Sequence, residues 1–190
     1  MEFNPAVVER FVKAFESVAG IAHVASTPED AVEKALAIID AKQPARIALA
    51  SLPADIADAL AQRCATQGIE VVRDPYFAGD LPAAIDAAQI GITGIDFAIA
   101  QTGTLVELAV DDATRLVSGL PRTHIGIVRA ANLVEEFNDA APRIRRIFAE
   151  NPENCAISFM SGPSRTGDIE LKLTLGVHGP ETAHAIVVLE

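Results

Sequence analysis

A chain of 190 residues, half of them hydrophobic and 22% charged, has the composition of a globular domain and excludes a disordered one. Its 26 Asp and Glu outnumber its 15 Lys and Arg, a formal charge of −11 that opposes attraction to phosphate backbones and argues against nucleic acid as a partner. Two cysteines, Cys64 and Cys155, are too few to hold an iron–sulfur cluster and lack paired ligand spacing, so no metal or cluster is expected in this chain.

The first residues, Met1-Glu2-Phe3-Asn4-Pro5, carry neither a basic nor an apolar signal region. No apolar run approaches the ~20 residues that span a bilayer, so a cytoplasmic chain without a membrane span is expected. Residues 3–18 place Val7, Val8, Phe11, Phe15 and Val18 at spacings of three and four, which predicts a helix with one apolar face. Thr27 as cap, Pro28 at the first helical position, and Glu29 and Asp30 at the positive end of the dipole predict a second helix. Its buried stripe is Val32, Ala35, Leu36 and Ile39.

From residue 46 short apolar runs alternate with helical patterns. Residues 47–50 predict a strand, 53–67 a helix with Ile56, Leu60 and Cys64 inward and Gly68 as its stop, 71–72 a strand and 81–88 a helix. Residues 97–100 and 104–109 predict two strands joined by a turn at Thr102-Gly103. Asp111-Asp112 predicts a solvated turn before a helical 113–118, and 124–128 predicts a strand. Residues 132–149 form a long helical pattern that Pro142, lacking a donor, should kink or divide, with Arg143, Arg145 and Arg146 as its solvated face. Residues 156–160, 171–175 and 185–189 are strand-like. The order implies a single α/β domain, with a helical part over 1–45 and a core over 46–190. The core is a mostly parallel sheet flanked by helices, with an antiparallel element at 97–109.

Chemistry concentrates in Ser161-Gly162-Pro163-Ser164-Arg165-Thr166-Gly167-Asp168-Ile169-Glu170, placed after an apolar strand at what is expected to be the carboxyl, ligand-binding edge of the sheet. Gly162 and Gly167 permit an amide nest, Arg165 offers a planar fork to a carboxylate or phosphate, and Ser161, Ser164 and Thr166 offer hydroxyls. The bland alternative is that Arg165 pairs with Asp168 or Glu170 and stiffens the loop. Thr102-Gly103-Thr104 exposes hydroxyls and amides, or is a plain hairpin turn. His124 and His178, the latter in Gly176-Val177-His178-Gly179-Pro180, are acid–base candidates if folding brings them together and structural histidines otherwise. His23 and His184 have no chemical neighbours in sequence. Cys64 is expected in the core, and Cys155 lacks a positive neighbour that would activate it.

Ala100-Gln101-Thr102-Gly103-Thr104-Leu105-Val106, then Arg115-Leu116-Val117-Ser118, Leu120-Pro121 and His124-Ile125, resemble the central motifs of the lactate-utilization (LUD) domain family. Ile157-Ser158, Ser161 to Thr166, Asp168-Ile169-Glu170 and Gly176 to Pro180 resemble its C-terminal signature. The ordered set spans about half the chain and is most like the family's short member. Two positions depart from the pattern: Gln101 stands where the motif is usually acidic, and Gly167 where alanine is more common. The resemblance implies a fold related to sugar-phosphate isomerases, CoA-transferases and formyltetrahydrofolate cyclo-ligase. It also implies service beside iron–sulfur partner subunits that oxidise L-lactate to pyruvate. The loop residues themselves point to a small carboxylate- or phosphate-bearing ligand, with Thr102, Gly103, Thr104, Ser161, Gly162, Ser164, Arg165, Thr166, Asp168 and Gly179 as its candidate contacts. Without a flavin or nicotinamide fingerprint the chain is expected to bind no cofactor of its own. An accessory subunit is the main expectation. An independent acyl-, phosphoryl- or formyl-substrate enzyme with Arg165 as clamp and Glu170 or His178 as acid or base stays open, as does a ligand sensor without chemistry.

Overall fold

The computed structural model describes residues 3–167 and 174–190. The first helix, α1 (Pro5–Ser17), starts where its chemistry says: the Asn4 side chain accepts from the Ala6 amide, and Pro5 takes the first helical position, where a missing N–H costs nothing. A short strand, β1 (Ile21–Ala25), leads to α2 (Pro28–Lys42), capped by the Thr27 side chain accepting from the Asp30 amide. Then follow β2 (Arg46–Ala50), α3 (Ala54–Thr66), β3 (Glu70–Arg73), a one-turn α4 (Ala83–Asp86) and β4 (Ile90–Gly94). The hairpin β5 (Phe97–Ile99) and β6 (Thr104–Ala109) precedes α5 (Asp112–Gly119) and β7 (Thr123–Arg129). The chain continues through β8 (Leu133–Val134), α6 (Ala140–Glu150), β9 (Ala156–Met160), β10 (Arg165–Thr166), β11 (Thr174–Leu175) and β12 (Thr182–Val188).

Six strands form one parallel sheet in the order β1-β12-β7-β4-β2-β3. This is the expected mostly parallel α/β architecture. A second, mixed sheet runs β8-β5-β6-β9, and its β5–β6 pair is antiparallel, as the turn at Thr102-Gly103 implies. Helices α2 and α3 bury their apolar stripes on one face of the parallel sheet, where Val32, Leu36, Ile39, Ile56 and Leu60 meet Ile47, Leu49, Ile92 and Ile125. The opposite face carries α1, the second sheet and α5; Phe11 and Phe15 of α1 pack with Leu105, Ala185 and Val187. Helix α6 covers the far side of the second sheet through Ile144 and Ile147 against the cluster of Phe97, Ile99 and Val106.

Four expectations need correction. The stretch 1–45 is not all helical, because it contributes β1 to the edge of the parallel sheet. The pattern at 132–149 becomes a helix only at Ala140; before it run two 3₁₀ turns and β8. Pro142 therefore lies in the first turn of α6, where its amide has no helical acceptor to lose, and nothing is kinked. Arg143 is not part of a solvated face: it donates to the Asn132 carbonyl at 3.0 Å and stacks 5.6 Å from the Phe97 ring centre. Of the predicted 171–175 strand, residues 171–173 lie outside the described residues and Thr174–Leu175 pair with Arg165–Thr166.

Candidate functional site

A groove of about 430 Å³ opens between the second sheet, α5 and the segment ahead of β12. Ser161, Ser164, His178 and Gly179 form one wall, Arg115 and Ser118 of α5 another, and His124 lies at its floor. The walls are held by backbone bonds between distant stretches: the Ser164 amide donates to the Pro180 carbonyl at 2.8 Å, and the Gly176 amide to the Ser164 carbonyl at 3.0 Å. The His178 amide adds a bond to Ser164 Oγ at 3.3 Å. Thus the two C-terminal motifs, separate in sequence, become one rim.

Beneath the floor sits a polar cluster inside an otherwise apolar seam. Glu107 of β6 is 0% exposed; its Oε1 accepts from Ser118 Oγ at 2.8 Å, while Oε2 has no hydrogen-bond partner among the described residues. Burial pushes its carboxyl up to about 7, with the Ser118 and Thr93 hydroxyls offsetting part of that rise and Asp96 and Asp111 adding to it. Thr93 Oγ1 lies 2.9 Å from His124 Nε2. Burial brings His124 down to about 4, with His184 adding to the fall, so its ring is neutral at pH 7. A carboxyl that exchanges its proton near neutrality and a neutral imidazole stand behind one groove, joined to it by Ser118 and His124.

The described residues thus carry a groove rimmed by the Ser161 and His178 motifs, and the LUD domain profile matches residues 8–188. The chain belongs to the LUD domain family. Lactate utilization protein C from Shouchella clausii is 41% identical over 103 residues, covering 54% of this chain and 45% of that protein. The proteins of the same name from Macrococcus caseolyticus and Bacillus subtilis are 42% and 38% identical over 105 residues each, covering 54% of this chain and 45% and 43% of theirs. The chain therefore spans less than half the length of these curated relatives. A crystal structure of a DUF162 family protein from Deinococcus radiodurans shares the fold, with a TM-score of 0.66 over 96% of both chains at 23% identity.

Within this LUD domain the predicted site residues are brought together only in part. Ser161, Gly162, Ser164, His178, Gly179 and His124 line the groove. Thr102, Thr104 and Ser161 satisfy one another, in a chain of hydroxyls at 2.6 and 2.7 Å. Gly103, at φ +58°, and Gly162, at φ +86°, are pressed against α1: an added Cβ at Gly103 would stand 2.3 Å from the Phe15 amide nitrogen, and one at Gly162 would stand 2.5 Å from the Val18 carbonyl oxygen. Both glycines carry a packing role there. Arg165 and Thr166 lie on β10, outside the residues lining the groove, and the guanidinium that does line it belongs to Arg115, paired with Asp112. Asp168 and Glu170 lie outside the described residues.

The placement of the 161–166 loop also differs from the expectation that carried it. Strand β9 belongs to the mixed sheet, antiparallel to β6, so the loop does not leave the carboxyl edge of the parallel sheet. Gln101 is exposed away from the groove, where its Oε1 accepts from the Phe137 amide at 2.9 Å and holds the turn before α6. Sequence reasoning missed Glu107 and Thr93, and it quoted Arg115 and Ser118 as motif residues without assigning them to the site. The signal for Glu107 was an acid inside the apolar run Thr104–Ala109, a position that charged side chains occupy only with a reason. His23 and His184, without neighbours in sequence, stack at 5.5 Å with a 3.2 Å contact between His23 Nε2 and His184 Nδ1.

Proposed function

We propose that this LUD domain serves L-lactate utilization as an accessory subunit beside iron–sulfur partners that carry the electrons, and that its groove holds a small carboxylate- or phosphate-bearing ligand. The observation that carries the proposal is the similarity, at 38–42% identity over about 105 residues, to proteins named for lactate utilization. The groove chemistry supports the ligand. Arg115 supplies a cation, Ser161 and Ser164 supply hydroxyls, and the backbone around Gly162 and Gly179 allows close approach. Redox work is assigned to partners because Cys64 is buried, Cys155 is distant in sequence, and no cluster of metal-ligating side chains occurs among the described residues.

The test is L-lactate oxidation in cells lacking the gene, complemented with the wild type or with Arg115→Ala. Loss on deletion, rescue by wild type and failure of Arg115→Ala to rescue at equal protein level are expected, together with copurification of iron–sulfur subunits. Unchanged oxidation after deletion, in cells with no second lactate pathway, overturns the assignment. A catalytic role has one observation in its favour, the Glu107 carboxyl held near neutrality behind the groove. Turnover by the purified chain that falls in Glu107→Gln would identify it as an enzyme in its own right.

A further inference from the structure

A second concavity, of about 370 Å³, lies over the carboxyl ends of β2, β4, β7 and β12. These four strands are neighbours in the parallel sheet, in the order β12-β7-β4-β2. The position has a topological cause. After β2 the chain crosses through α3 to the sheet edge at β3; after β4 it leaves for the second sheet and returns through α5 to β7 on the other side. Helix α3 packs with α2 on one face, whereas α5 packs on β2, β4 and β7 from the other. Connections that diverge to opposite faces leave a crevice between their strand ends, the place where open parallel sheets take ligands.

Four polar side chains line this crevice, and one of them, Ser51, has its hydroxyl engaged with that of Thr114 at 2.9 Å. Arg129 ends β7, is exposed, and forms no ion pair with any of the described residues. Asn132 gives its backbone carbonyl to Arg143, leaving its side-chain amide without a bond among the described residues. Asp96, at the crossing from β4 to β5, accepts from the Leu108 amide at 2.7 Å through Oδ2, so Oδ1 is left for a further donor. Its carboxyl is raised above the ordinary range, burial being the first cause. Ile56, Ile95, Ile127 and Val188 supply an apolar wall. In a chain of net charge −11 an unpaired guanidinium beside apolar side chains selects an anion with a carbon skeleton over a bare ion.

We propose that this crevice, distinct from the groove at Ser161 and His178, binds a small hydroxycarboxylate. The ligand carboxylate pairs with the Arg129 guanidinium, its hydroxyl is shared between the Asp96 carboxyl and the Asn132 amide, and its carbon chain lies on Ile56 and Ile127. The volume sits at the small end of ligand sites, about 300–1,000 Å³, and suits an organic acid rather than a nucleotide-bearing thioester.

The experiment is a titration of the full chain with L-lactate, L-malate, propionate and inorganic phosphate, followed by backbone amide chemical shifts and by calorimetry. It is repeated with Arg129→Met, Asp96→Asn and the control Arg145→Met. The expected result is saturable binding of L-lactate or L-malate that moves the amides of residues 94–96 and 129–132. Propionate, which lacks the hydroxyl, and phosphate should bind about 10-fold more weakly or not at all. Arg129→Met should weaken binding by about 10-fold or more while the unliganded chain unfolds at the wild-type temperature, and Arg145→Met, which removes an exposed guanidinium outside both cavities, should bind as wild type. No saturable binding of either hydroxy acid, equal affinity in Arg129→Met, shifts confined to the groove, or preference for phosphate each overturns the proposal.

Discussion

The two faces of the parallel sheet are built from the same strands and differ in kind. On β4, Ile90 and Ile92 point toward α2 and α3, while Thr93 points toward α5 and the second sheet; on β7, Ile125 and Ile127 point the first way and His124 the other. The first face is closed mainly with hydrocarbon, and its polar side chains lie at its margin: Thr123 at the start of β7, and His184 in contact with His23 where β12 meets β1. The second is closed around Glu107, Ser118, Thr93 and His124, with one Glu107 oxygen lacking a partner among the described residues. A parallel sheet buried on both sides normally reads as unbroken apolar runs. The difference teaches that period two along a strand lets one side hold the fold while the other carries polar chemistry, provided a helix such as α5 brings the matching hydroxyls.

If that division is right, the hydrocarbon over β4, away from the His23–His184 margin, should be strong and indifferent to pH. Ile92 is fully buried among α2, α3 and neighbouring strands. Ile92→Ala should cost about 2–5 kcal/mol in denaturant unfolding, by the same amount at pH 5 and pH 8. A cost that changed with pH would mean that the two faces are coupled and the division fails.

The polar face should show the next effect, and its sign is fixed. In the folded chain Glu107 keeps its proton up to about 7, whereas an ordinary glutamate releases it at 4.5. Unfolding therefore releases a proton between those values, and the Glu107 contribution to stability falls as pH rises from 4.5 to 7, then levels. The integrated loss is roughly 3 kcal/mol. Across most of the same window His124 acts oppositely, and His184, brought down to about 4 chiefly by burial, acts with it. Each folded value of about 4 lies under the ordinary 6.5, so each contribution is complete above 6.5 and is lost as pH falls toward 4. Glu107→Gln should remove the term that opposes the histidines, so stability should climb more steeply with pH from 4.5 to 6.5 than in the wild type and should no longer fall between 6.5 and 7. Persistence of the fall between 6.5 and 7 in that variant would assign it to another group.

What was legible in the sequence follows the same divide. The hydrocarbon face wrote itself in repeating spacings: Val32, Ala35, Leu36 and Ile39 in α2, Ile56, Leu60 and Cys64 in α3, and the caps Thr27 and Pro28. Strand β1 escaped because an edge strand with His23 and two exposed apolar residues, Ile21 and Val24, has no alternation to detect. Strand β4 escaped because its inward-pointing residues on the polar side are glycine and threonine. The motif residues that rim the groove were visible as motifs, but their sheet was not, since pairing β9 with β6 rather than with the parallel strands is a decision made across more than forty residues. Thr93 meets His124 only through the pairing of β4 with β7, and Glu107 meets Ser118 only where α5 packs on β6. The crevice at Arg129 depends on strand order, which no local pattern carries.

The smallest predicted effect tests the helix that joins the two regions. Asp111 caps α5, its side chain accepting from the Thr114 amide at 2.8 Å, and its charge is among the causes that raise Glu107. Asp111→Ala should therefore do two things at once. Losing the cap should cost about 1 kcal/mol at any pH. Losing the charge should lower the Glu107 value, because one like charge no longer opposes ionisation, so the fall in stability should end at a lower pH than in the wild type. Asp111→Asn keeps a capping oxygen without the charge and should show the second effect with little of the first. Equal pH profiles for wild type, Asp111→Ala and Asp111→Asn would show that Asp111 acts on α5 alone, and that the polar seam is insulated from the helix terminus that positions Ser118 within it.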